Sequence, residues 1–249
     1  MINISIERLI NKLDEYLGKN DYLSAENHLI YWLQESKAEN DKRAVLTITN
    51  ELIGLYRKTS NENKAIECVE NAEALISELK MEKEVSGATT FLNCATAYKA
   101  FGKVEKSLEL FKKARDVYEK ELKYDDTRLA GLYNNMALTL VDLKDFDGAI
   151  ELYGKAISIL EQNEKSELEI AITYLNIASC LETKMGIEQA EVKINECINV
   201  AQSLIDNFEN RNGYYAFVCE KCAGVFGYYG FFAYENELKE RARKIYEGS

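Results

Sequence analysis

Residues Ala130–Leu160 read AGLYNNMALTLVDLKDFDGAIELYGKAISIL. Counting Ala130 as position 1, large residues fall at 4 (Tyr133), 7 (Met136), 11 (Leu140), 17 (Phe146) and 24 (Tyr153). Small ones fall at 8 (Ala137), 20 (Ala149) and 27 (Ala156). The large set recurs every three or four residues, the period of a helix. The small set lets two helix backbones approach, and the large set fills the space around them. The stretch therefore predicts two antiparallel helices. One such pair cannot cover its own apolar face, so neighbours must stack on it.

The same frame recurs along the chain. From Ala88 it gives Phe91, Cys94, Ala95, Tyr98, Ser107, Phe111 and Ala114. From Ala171 it gives Tyr174, Ile177, Ala178, Leu181, Ala190, Ile194 and Cys197. From Leu46 it gives Leu52, Ile53, Tyr56, Ala65, Val69 and Ala72, with a weak Thr49 at position 4. Two outer copies, from Ile6 and Ala216, are degenerate, as capping repeats are. In the last one Glu235 stands at position 20.

This pattern resembles the tetratricopeptide repeat, strongly in the four middle units and more loosely at the ends. The frame starts near 6, 46, 88, 130, 171 and 216, so its steps of 40 to 45 residues exceed the usual unit of about 34. The longer step is similar to the extended repeats of kinesin light chains and of Gram-positive peptide-pheromone receptors. The resemblance implies an all-α, right-handed superhelical solenoid of about six antiparallel helix pairs, without a β-sheet, as a single domain over 1–249.

Composition agrees. The chain has 249 residues and no proline, where average usage would give about 12. Proline breaks helix interiors, so its absence suits closely spaced helices. Local signals agree too. Ser166–Glu169 reads as a capping box, Asp125–Asp126 and Asp145 as helix N-caps, and Asn20–Asp21 and Ser60–Asn61 as turns within pairs.

The net charge of −11 argues against nucleic acid, whose phosphates need clustered Lys and Arg, and against anionic membranes. The longest near-apolar stretch, Ala223–Tyr234, is too short to span a bilayer. Met1–Leu13 lacks the apolar region of a secretion signal. The six cysteines have no framework spacing and read as reduced thiols of a cytoplasmic protein. Cys219-Glu220-Lys221-Cys222 is a lone CxxC on core positions of a helix. The single His28 is far from it in sequence, so neither metal nor cofactor is expected. Phosphate-loop, zinc-protease and nucleophile-elbow motifs are absent, and no catalytic residue is expected.

On the first helix of each pair, positions 2, 5, 6, 9 and 13 lie opposite the core set, with 12 at the flank. Position 6 holds Asn93, Asn135 and Asn176 in adjacent repeats, and Glu51 in the repeat before; position 5 holds Asn50 and Asn134. An Asn amide both donates and accepts, so it can pair with an extended peptide backbone. Asn is also an ordinary surface residue. Arg57 and Lys99 occupy position 12 of neighbouring repeats; they read either as a carboxylate site or as solvated charges. The resemblance implies that this face is a concave groove that takes a peptide or protein segment. The family's two-carboxylate clamp expects lysines at positions that here hold other residues.

Nine aromatics crowd into Tyr214–Tyr234, including Tyr214, Tyr215, Phe217, Tyr228, Tyr229, Phe231, Phe232 and Tyr234. They read as a surface for self-association or a partner, since aromatics are enriched at interfaces, or as large residues closing the last repeat. The leading function is a non-enzymatic scaffold for a protein or peptide segment. The alternatives are a peptide-responsive regulator acting on a separate effector, or a purely structural assembly subunit. Relatives of the regulator type carry an extra N-terminal effector domain, for which a first repeat at residue 6 leaves no room.

Overall fold

The computed structural model describes residues 5–248. Part of the Met1–Leu13 reading thus falls on residues 1–4, which lie outside the described residues. Among the described residues there are twelve α-helices and no strand. The chain divides into two compact units, one ending at Leu122 and the other beginning at Lys123.

The first unit holds α1 (Ile6–Gly18), α2 (Tyr22–Ala38), α3 (Lys42–Lys58), α4 (Glu62–Glu78), α5 (Val85–Ala100) and α6 (Val104–Glu121). Odd-numbered helices are the first members of the pairs. Ala25, Ala65, Ala72, Ala88, Ala95 and Ala114 are fully buried where helices cross. Around the first crossings pack Leu9, Leu13, Leu29, Ile48, Leu52 and Tyr56. Thr49, the weak position 4, is buried too; its hydroxyl donates to the Val45 carbonyl at 2.7 Å, so it is satisfied within its own helix.

The second unit holds α7 (Thr127–Asp142), α8 (Phe146–Leu160), α9 (Glu167–Met185), α10 (Ile187–Asn207), α11 (Gly213–Tyr228) and α12 (Phe232–Glu247). Ala137, Ala149, Ala156, Ala178, Ala190 and Ala223 are fully buried.

Most short connections share one backbone device. Helices end with a left-handed residue at Asn20, Asn40, Ser60, Lys80, Gly102, Lys144 and Gly230. In each case its N–H and the next one reach back to carbonyls of the last turn, as Asn61 N to Tyr56 O at 2.8 Å and Asp145 N to Leu140 O at 2.9 Å. This double bond set satisfies carbonyls that a helix end leaves orphaned. The following residue often caps the next helix: Asp21, Asp41, Asn61 and Asp145 each accept a backbone N–H. Asp126 does the same for α7.

Three places depart from the sequence reading. Ser166 precedes α9 but makes no side-chain cap bond. Its ψ of 7° is not the extended conformation that aims a cap hydroxyl at the first turn. The link between α9 and α10 is the single residue Gly186, at φ 81°. The fifth pair therefore lacks the three-residue turn, and its helices run to 19 and 21 residues. Finally, Glu235 fits at a position where other repeats bury alanine or, at Ser107, serine, because Gly227 faces it; a Cβ on Gly227 would run into its carboxylate.

Candidate functional site

The outward positions of the first helices fall into two separate groups, one per unit. In the first unit Asn93 on α5 donates its side-chain amide to Asn50 Oδ1 on α3 at 3.2 Å. Both side chains are half-buried. Glu51, beside Asn50, is half-buried as well. Burial, helped by the nearby Asp14 charge, raises its carboxyl above the usual range. Arg57 and Lys99 each sit in the last turn of their helix, α3 and α5, where a cation opposes the negative end of the helix dipole.

In the second unit Asn134 on α7 donates to the Thr173 hydroxyl on α9 at 2.9 Å. Thr173 in turn donates to the Glu169 carbonyl at 2.7 Å. Asn135 turns back to its own helix and donates to the Gly131 carbonyl at 2.8 Å. Asn176 lines a groove of about 600 Å³ between α9 and α11, with Ser179, Thr183, Val225, Tyr228 and Tyr229. The amides are thus partly engaged inside the protein. Asn50 is joined to Asn93 and Asn134 to Thr173, while Asn135 keeps to its own helix.

The aromatic segment splits between core and surface. Tyr215 and Tyr234 do not belong to a surface: they are buried at 0 % and 6 % exposure. Their hydroxyls meet a polar cluster instead. Tyr234 donates to Asp206 at 2.9 Å, and Arg241 donates to both Asp206 and Tyr215. The cluster ties α12 to α10 and α11. Phe231 is half-buried, edge-on to Phe226. Tyr214, Phe217, Tyr228 and Phe232 are exposed.

Two glutamates hold three tyrosines of this segment: Glu169, which closes the Ser166–Glu169 stretch, and Glu182, which the sequence did not single out. Tyr214 donates to Glu169 at 2.8 Å. Tyr228 and Tyr229 donate to the two oxygens of Glu182, at 2.5 and 2.8 Å. The bond to Glu182 is the main reason the Tyr228 hydroxyl is shifted up, and burial is for Tyr229, so both remain proton donors. Each partner lies about one repeat away, 45 to 47 residues. That spacing is the signal that could have found them.

The remaining singled-out residues are packed. His28 Nε2 lies 3.1 Å from the Leu9 carbonyl, with Tyr16 and Trp32 edge-on to its ring. Cys68 is half-buried and the other five cysteines are buried. Burial pushes the Cys197 thiol up to about 11 and Cys222 up to about 12. Among the described residues no group of acidic, His or Cys side chains is arranged to hold a metal ion, and no helix is long and apolar enough to cross a membrane.

Residues 44–120 and 129–163 each match a family profile described as tetratricopeptide repeat. Both stretches carry tetratricopeptide repeats. No curated protein matches it in sequence. Solved structures share the fold at low identity. BtubC (BKLC) from P. vanneervenii superposes with a TM-score of 0.58 at 17 % identity, over 93 % of this chain and 91 % of that one. Nearly identical TPR-like repeats assigned to a Podosopora anserina kinesin light chain give 0.57 at 17 %, over 80 % and 94 %. A Rap protein complexed with Competence and Sporulation Factor gives 0.66 at 14 %, over 99 % of this chain and 66 % of the Rap chain.

Proposed function

We propose that this protein is a non-enzymatic scaffold that binds an extended segment of another protein along the outward faces of its first helices. The observation that carries the reading is the groove between α9 and α11, about 600 Å³, lined by Asn176, Ser179 and Thr183 beside two tyrosines. An extended peptide needs such donors and acceptors in a row, with apolar pockets between them. Asn134 and Asn135 extend the polar row on α7. Asn50, Asn93, Arg57 and Lys99 form its counterpart in the first unit. The Rap protein, a neighbour in fold, holds a bound factor in its structure, which favours the same use here. Six unpaired thiols suit a reducing, cytoplasmic setting.

Exposed Phe232 and Tyr246 on α12 favour a second reading, in which another copy or a partner docks on the last repeat.

The test is selection of displayed random peptides on the full chain, followed by calorimetry. The triple variant Asn93→Ala, Asn135→Ala, Asn176→Ala should bind the selected peptides about tenfold more weakly or worse, since each lost hydrogen bond is worth about 0.5–1.5 kcal/mol. Equal affinities would place binding elsewhere, with the aromatic last repeat next in line.

A further inference from the structure

The Glu182 carboxylate stands out within the groove of the second unit. Both its oxygens accept a tyrosine hydroxyl, yet among the described residues no Lys, Arg or His pairs with it. The nearest lysine in sequence on that helix, Lys184, is paired with Asp147 instead. The two tyrosine rings meet at 80° with centroids 5.1 Å apart, which makes a corner of two aromatic faces beside a negative charge. Tyr228 is 67 % exposed, so a ligand can reach its ring.

A corner of this kind suits a cation. The ring faces attract positive charge. Each carboxylate oxygen accepts one tyrosine O–H and keeps lone-pair capacity for a further donor. A planar guanidinium can meet both oxygens at once and stack on a ring, whereas an ammonium is a more strongly hydrated point charge. Asn176, lining the same groove, lies ready for the backbone that carries the side chain. The chain's net charge of −11 favours approach of a basic segment.

We propose that Glu182, Tyr228 and Tyr229 form a pocket for an arginine side chain of the bound segment. This rests on the groove being the binding face, and it names what that face selects.

The probe is N-acetyl-arginine N-methylamide, titrated into the full chain carrying ring-labelled tyrosine and followed by NMR; its citrulline and lysine counterparts are controls. The arginine probe should move the Tyr228 and Tyr229 signals saturably. The uncharged citrulline probe should bind about tenfold more weakly or worse, because charge-assisted bonds are roughly twice as strong as neutral ones. Glu182→Gln should cause a similar loss. Tyr228→Phe keeps the ring and most of the affinity, while Tyr228→Ala loses it. High salt should weaken binding. Citrulline binding as tightly as arginine, an unchanged Glu182→Gln variant, or no saturable shift would overturn the pocket. Lysine binding as tightly would overturn the choice of arginine. If selected peptides still bind through the Asn row while the arginine probe does not, only this inference falls. If the probe binds and extended peptides do not, the scaffold reading falls.

Discussion

The side chains of Asn50 and Asn93, 43 residues apart in sequence, meet in a 3.2 Å hydrogen bond between α3 and α5. The bond joins the first helices of consecutive pairs. Replacing either residue by alanine should cost about 0.5–1.5 kcal/mol. The double variant should cost less than the sum, because the partner left behind is half-buried. Urea denaturation of the four proteins measures the coupling. Additive losses would show that the two amides act independently.

Two helical glycines, Gly87 in α5 and Gly154 in α8, carry opposite expectations. At Gly87 a Cβ would run into the Met81 carbonyl oxygen, which is backbone and cannot swing aside. Gly87→Ala should destabilise by about 1–3 kcal/mol. Gly154 sits within α8 with open space around it, and Gly154→Ala should stabilise by about 0.5–1 kcal/mol. Thermal unfolding of the two variants should move in opposite directions.

Lys80 and Lys144 hold left-handed backbone at helix ends, with φ of 56° and 63°. That conformation strains a residue with a Cβ by about 1–2 kcal/mol. Lys80→Gly and Lys144→Gly should each raise stability by up to about 1 kcal/mol, part of the relief being offset by the entropy glycine gains when unfolded. Asn20→Gly should change little, since Asn tolerates this region. Chemical denaturation provides the comparison.

Glu51 predicts a dependence on pH. Burial, then the Asp14 charge, raises its folded pKa above the unfolded one. The folded state therefore holds its proton more tightly. Stability contributed by that proton is present at low pH and lost as pH rises through the folded pKa. Glu51→Gln should melt higher than the parent at neutral pH. The advantage should vanish towards about pH 4, where the parent carboxyl is protonated in both states. An advantage that persists there would point to packing instead of charge.

The core was readable because it is written in a period. Ala137, Ala149 and Ala156 stand at fixed places in the frame, and all three are fully buried. The turns were readable where the residue itself makes the bond, as at Asn61 and Asp145. Elsewhere the deciding partner lies in another helix. Ser166 looks like a cap, but its backbone takes a different turn. Glu235 looks misplaced until Gly227 is seen to leave room for it. Tyr215 and Tyr234 look like their exposed neighbours until Arg241 and Asp206 draw them inward. Glu182 looks like one more solvated acid on an acidic surface. Only the fold brings two tyrosines to it from a repeat away.

The buried thiols make the molecule its own clock. Alkylation requires a thiolate in contact with solvent, and Cys94, Cys180, Cys219 and Cys222 have at most 2 % exposure. Each can react only when its helix has come away from its neighbours. Labelling rates at Cys94 on α5 and at Cys219 on α11 would therefore time the opening of each unit separately, with no probe added to the chain.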